Sequence, residues 1–235
     1  MIYAKSFRNM ADAFVQVYKD LHEIGHENED TKRITGALIE IDSPMDWSNM
    51  PEWRNWRRSY VDLEWAWYQE ATQDPAMVMD VAKIWRKMRD ENGLVNSNYG
   101  FQVKRNEQWN KCARGIVDAI MTGKGTRKNV VSIYDGKERD GYDFDTPCTI
   151  SFSFVISEHG LIDIHTHMRS NDIWFGFCND IPAFALFQQK MVDSVNEILL
   201  DELPDDFFKV CTAPGRLVHF VDDLHVYTPQ QNKDV

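Results

Sequence analysis

The sequence predicts an α/β protein in which several helices flank a mixed sheet. Three observations carry this. Apolar residues recur at helical spacing through much of residues 10–120. From residue 129 onward short β-branched and alternating runs take over. A long helical stretch, 182–200, then lies between a hairpin-like pair of runs and two strand-like ones, so strands and helices are interspersed. A length of 235 residues suits one domain over 1–235 with a substantial core.

Met10, Phe14, Val17, Tyr18 and Leu21 share a helical face, and Gly25 is a natural stop. ITGALIEI (34–41) is the apolar part of a strand or turn-like region. Tyr60, Leu63, Trp67, Tyr68 and Ala71 define a second helix, and Val81, Ile84, Trp85 and Met88 a third. Trp109, Cys112, Ile116 and Ile120 define a fourth. NVVSIY (129–134) reads as a strand, followed by a polar loop at 135–147. TISFSFVIS (149–157) and LIDIHTHM (161–168) alternate around Glu158-His159-Gly160, as a hairpin does. Pro182 is tolerated in the first turn of the long helix. RLVHFV (216–221) and LHVY (224–227) read as two last strands.

Composition excludes some classes. With 43% hydrophobic and 27% charged residues the chain is globular rather than disordered. A formal net charge of −11 repels nucleic acid polymers but leaves room for a small phosphorylated ligand held by a few local cations. No apolar run approaches the ~18 residues of a membrane span, and MIYAKSFRNMADAF lacks a signal-peptide core. The expectation is a cytoplasmic protein with no membrane partner. Cys112, Cys148, Cys178 and Cys211 are far apart, with no CxxC pair, and read as free thiols.

Several positions suit chemistry, each with a plainer alternative. Cys148 follows Asp145-Thr146-Pro147 at a loop-to-strand junction, where scaffolds present reactive groups. Nearby cations would make it a nucleophile; otherwise it is a structural cysteine. Arg169-Ser170 closes a strand and suits a phosphate, as does Thr126-Arg127-Lys128, unless both are solvated surface groups. Asp163-x-His165-x-His167 puts three possible metal ligands on one strand face, a weak pattern alone. Glu64, among Tyr60, Trp65, Trp67 and Tyr68, is either a proton-transfer acid with a raised pKa or a surface carboxylate.

Together these segments resemble the thymidylate synthase superfamily. RSNDIWFGFCNDIPAFAL (169–186) is similar to its R-S-x-D-x-x-x-G-x-x-x-N-x-x-x-Y-A segment, and DTPCT to its nucleophile segment. SNYGFQ (97–102), TRK (126–128) and LHVY (224–227) are similar to its Y-G-x-Q, paired basic and H-x-Y segments, in the family's order. Within the superfamily, the segments around Asn96–Gly100, Pro147-Cys148-Thr149, Met168–Asp172 and Phe175–Asp180 resemble the phage deoxycytidylate hydroxymethylases.

The resemblance implies a thymidylate synthase-like fold, a sheet-to-sheet homodimer and 5,10-methylenetetrahydrofolate as co-substrate, with no metal. Cys148 would attack C6 of a pyrimidine nucleotide, and Glu64 would organise water and proton transfer. Arg169 and Ser170 would hold the phosphate, with Arg127 and Lys128 arriving from the other subunit; Arg33 is assigned to the phosphate as well, Lys32 being the alternative. His225 and Tyr227 would bind the sugar, and Asp172, Trp67, Tyr99 and Gly176 would meet the folate. Asp180 stands where the synthases have Asn. An amide suits uracil, which offers N3–H and O4, whereas a carboxyl group suits cytosine, which offers N4–H and N3. Asp180 therefore points to dCMP, although a one-residue slip would put the amide of Asn179 there. Thr149 replaces the synthase His and favours addition of water over methylation. Ser153 in place of the usual Gln, and an end at Val235 soon after Tyr227, depart from the family pattern.

Overall fold

A computed structural model describes residues 2–125, 127–135 and 145–230. Thr126, the 136–144 part of the expected polar loop and the 231–235 end lie outside the described residues.

The chain folds as strand β1 (Tyr3–Phe7), helix α1 (Met10–Ile24), and strands β2 (His26–Asn28) and β3 (Thr31–Ile41). Helices α2 (Arg58–Glu70), α3 (Ile84–Lys87), α4 (Tyr99–Lys104) and α5 (Gln108–Thr122) follow. Then come β4 (Val130–Ser132), β5 (Thr149–Ile156), β6 (Ile162–Met168) and β7 (Asn171–Asp172). A π turn (Ile173–Phe177) leads into α6 (Cys178–Glu202), and the short α7 (Phe207–Val210) precedes β8 (Pro214–Tyr227). The sheet is mixed, in the order β1-β3-β8-β6-β5-β4, with β2 on β3 and β7 on β8.

Register explains the core. Ile39, His219, Thr166 and Phe152 form one row across four strands, and Ile41, Leu217, Ile164 and Phe154 the next. Both rows are buried on the face that meets α6, where Phe184 and Phe187 pack on Phe152. The alternating rows, Leu38–Phe220–His167–Ser151 and Glu40–Val218–His165–Ser153, take the opposite face. That face is less covered, and Phe220 on it is exposed.

The sheet breaks its own period along one line. In β3 the buried positions change parity between Ile34 and Ala37, and in β8 between Val221 and Leu224, directly opposite. Gly36 between them takes φ 70°, a conformation open mainly to glycine. In the next strand position the ladder to β8 runs to Met168↔Val221, skips Arg169 and Ser170, and resumes at Asn171↔Leu224. β5 carries a bulge between Thr149 and Ser151, beside Cys148. Irregularity at one level of four strands thus frees Cys148, Arg169 and Ser170 from the pleat.

Some elements differ from the sequence expectation. The third helix shrinks to the single turn Ile84–Lys87, because Val81 and Ile84 are exposed and their spacing faces no core. The long helix starts earlier, at Cys178. The last two strands are one, continuous through Asp222-Asp223. β1, β2 and α4 are additional to those the pattern predicts. All four cysteines are free, and no helix among the described residues is long and apolar enough to cross a membrane.

Candidate active site

The loop carrying Cys148 is anchored by Asp145. This buried carboxylate accepts the backbone N–H groups of Asn96 and Ser97 and the Ser97 hydroxyl, each at 2.7 Å. Asn96 Nδ2 also donates to the Asp145 carbonyl at 3.0 Å. The Asn96-Ser97-Asn98 segment thereby ties the Cys148 loop to the start of α4, where Asn98 caps the helix by accepting from Phe101 N–H at 2.7 Å. A Cβ at Gly100 would sit 1.7 Å from the Tyr68 carbonyl oxygen, so α4 can approach α2 this closely only with glycine there.

Cys148 is half-buried at the head of β5. Arg169 curls over it: its backbone N–H donates to Cys148 O at 2.9 Å. Its guanidinium donates to Pro147 O at 3.1 Å and Thr146 O at 2.7 Å, and lies 3.7 Å from Sγ. Burial pushes the Cys148 thiol up to about 11; Arg169 opposes this, while Asp180 and Asp145 add to it. The expectation that nearby cations lower this pKa is corrected within one chain, where a single guanidinium is outweighed by desolvation.

Asp180 lies in the first turn of α6 and accepts from Asn171 Nδ2 at 2.7 Å. Burial raises its carboxyl to about 7; the Asn171 bond opposes this and Asp172 adds to it. Asn179 is turned to other groups: it accepts from Trp56 Nε1 at 3.2 Å and donates to Phe175 O at 2.8 Å. A Cβ on Gly176 would stand 2.9 Å from Asn171 Nδ2 and 3.0 Å from Asp180 Oδ2, so this glycine makes room for the Asn171–Asp180 pair. Asp172 accepts from Trp174 N–H at 2.8 Å, and burial raises its carboxyl.

Glu64 is buried on α2. Desolvation raises it to about 8, opposed by the hydroxyl of Tyr60, which donates to it at 2.7 Å; Asp180 adds to the rise. Trp85 Nε1 in turn donates to Tyr60 at 3.0 Å. Tyr99 is buried and stacks on Tyr68 with ring centroids 5.4 Å apart. Its phenol is raised by burial, with Asp180, Cys148 and Glu64 as charged neighbours. Cys148, Tyr99, Glu64 and Asp180 therefore form one electrostatic cluster. Trp67 is a correction: its ring is fully buried and its N–H is spent on Asp74 O at 2.7 Å, so it has no surface to offer a ligand. Trp85 is the half-buried tryptophan on the Glu64 side.

The thymidylate synthase family profile matches residues 12–233. The chain belongs to the thymidylate synthase family. It is 26% identical over 209 residues to deoxycytidylate 5-hydroxymethyltransferase of Enterobacteria phage T4, covering 84% of this chain and 76% of that protein. The phage T2 protein matches equally. Thymidylate synthase 1 of Bacillus subtilis (strain 168) is 24% identical over 182 residues, 74% of this chain and 58% of its own length. The family consists of folate-dependent one-carbon transferases that bind a pyrimidine nucleoside monophosphate and use methylenetetrahydrofolate as co-substrate.

The residues expected from sequence to meet phosphate and sugar fall in two groups here. His225 is buried opposite Arg33 in the ladder, and its ring meets Tyr227 edge-on at 5.2 Å. Arg33 donates to Asp223 at 3.0 Å. Lys32, the alternative to Arg33, points away and donates to His22 O at 2.8 Å. Ser170 stands in the break of the ladder beside Arg169. Arg127 and Lys128, by contrast, are exposed ahead of the edge strand β4. Asn129 O accepts from Phe154 N–H, six residues along β5 from Cys148. At ~3.3 Å per residue that is about 20 Å from Cys148.

Of the metal-ligand pattern, Asp163 is committed to Arg216, whose backbone N–H donates to it at 2.8 Å, and His167 lies 3.0 Å from Asp222. No three His, Cys, Asp or Glu side chains converge among the described residues. Three features escape motif reading. They are the Asp145 anchor, the Asn171–Asp180 pair, and Arg54, buried between Phe14 and Trp174 with Nε unpartnered. The aromatic setting of Arg54 in PEWRNW is the one signal that could have found it.

Proposed function

We propose that this chain, read as one catalytic domain over 1–235, is a deoxycytidylate 5-hydroxymethyltransferase. One observation supports this above the others: Asp180, a carboxyl group held near neutrality, sits in the Cys148–Tyr99–Glu64 cluster, whereas the Asn179 amide is engaged by Trp56 and Phe175.

Cys148 Sγ attacks C6 of the cytosine ring, and its proton passes through solvent to replace the one that Asp180 gives to N3. Asp180 in its acid form donates to N3 and accepts from the N4 amino group, so the charge that builds on the ring is offset at N3. The electron-rich C5 then takes a one-carbon unit, which methylenetetrahydrofolate supplies when bound. The residues present fit such a ligand. Asp172 offers a buried carboxyl to a ring edge, and Arg54 Nε is a buried donor without a partner. Glu64 would give its proton to the leaving nitrogen of the one-carbon donor and then, as a carboxylate, take the C5 proton and hold the water that completes the hydroxymethyl group, while Tyr99 would meet the folate. Glu64 keeps its proton at neutral pH, which suits it to give one up and take it back.

Arg169 leaves the Thr146 and Pro147 carbonyls to meet the phosphate together with Ser170 and Arg33, and His225 and Tyr227 take the sugar. Arg127 and Lys128 serve the site of a second subunit, their distance from Cys148 in one chain being too large for a shared ligand. The less covered sheet face carrying Leu38 and Phe220 is the surface for that homodimer. The setting is the cytoplasm.

The test is incubation with methylenetetrahydrofolate and either dCMP or dUMP, with products weighed by mass spectrometry. A hydroxymethyl gain on dCMP is expected. A methyl gain, as the B. subtilis match would favour, sinks the water step; turnover of dUMP alone sinks the base assignment. Asp180→Asn should move preference toward dUMP by roughly 10–100-fold, the worth of about 1–3 kcal/mol of mismatched polar contact.

A further inference from the structure

Behind Asp180 runs a chain of hydrogen bonds that the mechanism above does not use. Asn171 Nδ2 donates to Asp180 Oδ2 at 2.7 Å. Asn171 Oδ1 lies 3.2 Å from His219 Nε2, and His219 Nδ1 lies 2.7 Å from Thr166 Oγ1. All three supporting residues are buried, His219 and Thr166 completely. Thr166 and His219 are paired directly across β6 and β8, so the sheet itself fixes their spacing. The rings of Phe177 and Phe184 lie 6.0 and 5.7 Å from the imidazole and wall it off.

The polarity of this chain follows from the chemistry of its members. In the structure Asn171 turns its NH2 toward Asp180 and its oxygen toward His219. His219 must then carry its proton on Nε2. Burial and the nearby His167 push this imidazole down to about 3, so it is neutral and Nδ1 has a lone pair. The Thr166 hydroxyl fills that lone pair as a donor. With Asn171 set this way, each later link has a single polarity.

We propose that Thr166, His219 and Asn171 are positioning residues that decide which oxygen of Asp180 carries its proton, and thereby its preference for cytosine over uracil. This rests on the reading that Asp180 meets the base. With Oδ2 receiving the Asn171 N–H, the acid proton sits on Oδ1. Oδ1–H then donates to cytosine N3, while Oδ2 accepts from N4–H. Uracil meets a donor with its N3–H and an acceptor with its O4. When the chain is cut, Asn171 is free to turn over and present its own oxygen to Asp180. The proton then moves to Oδ2, and Oδ1 becomes an acceptor that uracil N3–H can use.

The experiment compares kcat/KM for dCMP and dUMP in four variants. His219→Leu should lower the dCMP:dUMP ratio at least tenfold. His219→Gln, whose amide can donate to Asn171 and accept from Thr166, should keep it within about threefold of the parent. Thr166→Val, nearly isosteric, should shift it in the direction of His219→Leu, and decides the matter if His219→Leu does not fold. Folded variants with the parental ratio overturn the inference. Asp180→Asn separates the two levels. If it changes the ratio and the chain variants do not, this inference alone falls; if it too changes nothing, the base reading falls and carries the inference with it. Long-range 1H–15N NMR, with His219→Gln to assign the signal, tests the polarity without any turnover. An Nε2–H tautomer is expected, and an Nδ1–H tautomer overturns the inference.

Discussion

Asp145→Ala removes the anchor of the nucleophile loop without touching Cys148. The buried Ser97 N–H and hydroxyl each lose a charged acceptor at 2.7 Å, and the half-buried Asn96 N–H loses a third. An orphaned buried polar group costs about 1–3 kcal/mol. Part of the loss is offset, because the carboxylate itself is desolvated in the fold and its pKa is raised by that burial. A net loss of about 3 kcal/mol remains. At about 2–4 °C per kcal/mol for a chain of this size, Tm should fall by about 6–12 °C. Cys148, three residues on, loses its tie to α4, and a displacement of about 1 Å is worth roughly 10²-fold in rate. Differential scanning calorimetry and tritium release from C5 of labelled dCMP read the two effects. A variant with Tm within about 1 °C of the parent and exchange within about twofold would refute the argument that this carboxylate holds the loop.

Three further outcomes are expected. Glu64 is held near 8 against 4.5 in the unfolded chain, so its contribution to stability is full below about pH 4.5 and is lost as pH rises toward 8. Glu64→Gln should flatten the fall in urea-unfolding free energy between about pH 5.5 and about pH 8 by up to about 3 kcal/mol, and an unchanged slope contradicts the burial argument. Gly176→Ala pushes a methyl onto Asn171 and Asp180 at 2.9 and 3.0 Å; KM for dCMP should rise roughly tenfold with a stability cost of only about 1–3 kcal/mol. Cys148, whose thiol burial pushes up to about 11 within one chain, should react with iodoacetamide more slowly than a free thiol at neutral pH, the second subunit's Arg127 and Lys128 narrowing the gap. Peptide mapping against exposed Cys211 in the same chain is the measure, and equal labelling refutes it.

Motif order singles out Cys148, Arg169, Asp172 and Asp180 from sequence because they occupy loop ends and helix starts, and the fold brings them to one end of the sheet. What escaped it depends on contacts between distant segments. Nothing in DTPC announces that Asp145 is saturated by residues 96 and 97. Trp67 and Trp85 both look like cleft aromatics, and only packing shows the first buried and the second beside Tyr60. Helical spacing at Val81 and Ile84 misleads because no core lies beneath them. The split of β8 into two predicted strands has a different cause. Asp222-Asp223 interrupts the alternation where the strand itself changes face, so the pattern marks a kink and not an end.

That kink bears on how substitution data from this chain should be interpreted. Along β8, tolerance to polar residues in a saturation scan will alternate with period two, and its phase will reverse between Val221 and Leu224, with the matching reversal in β3 across Gly36. Inserting one residue in either strand would carry that reversal out of line with its neighbours. Paired one-residue insertions on both sides of the ladder would keep it in line, so the two strands are bound to vary in length together.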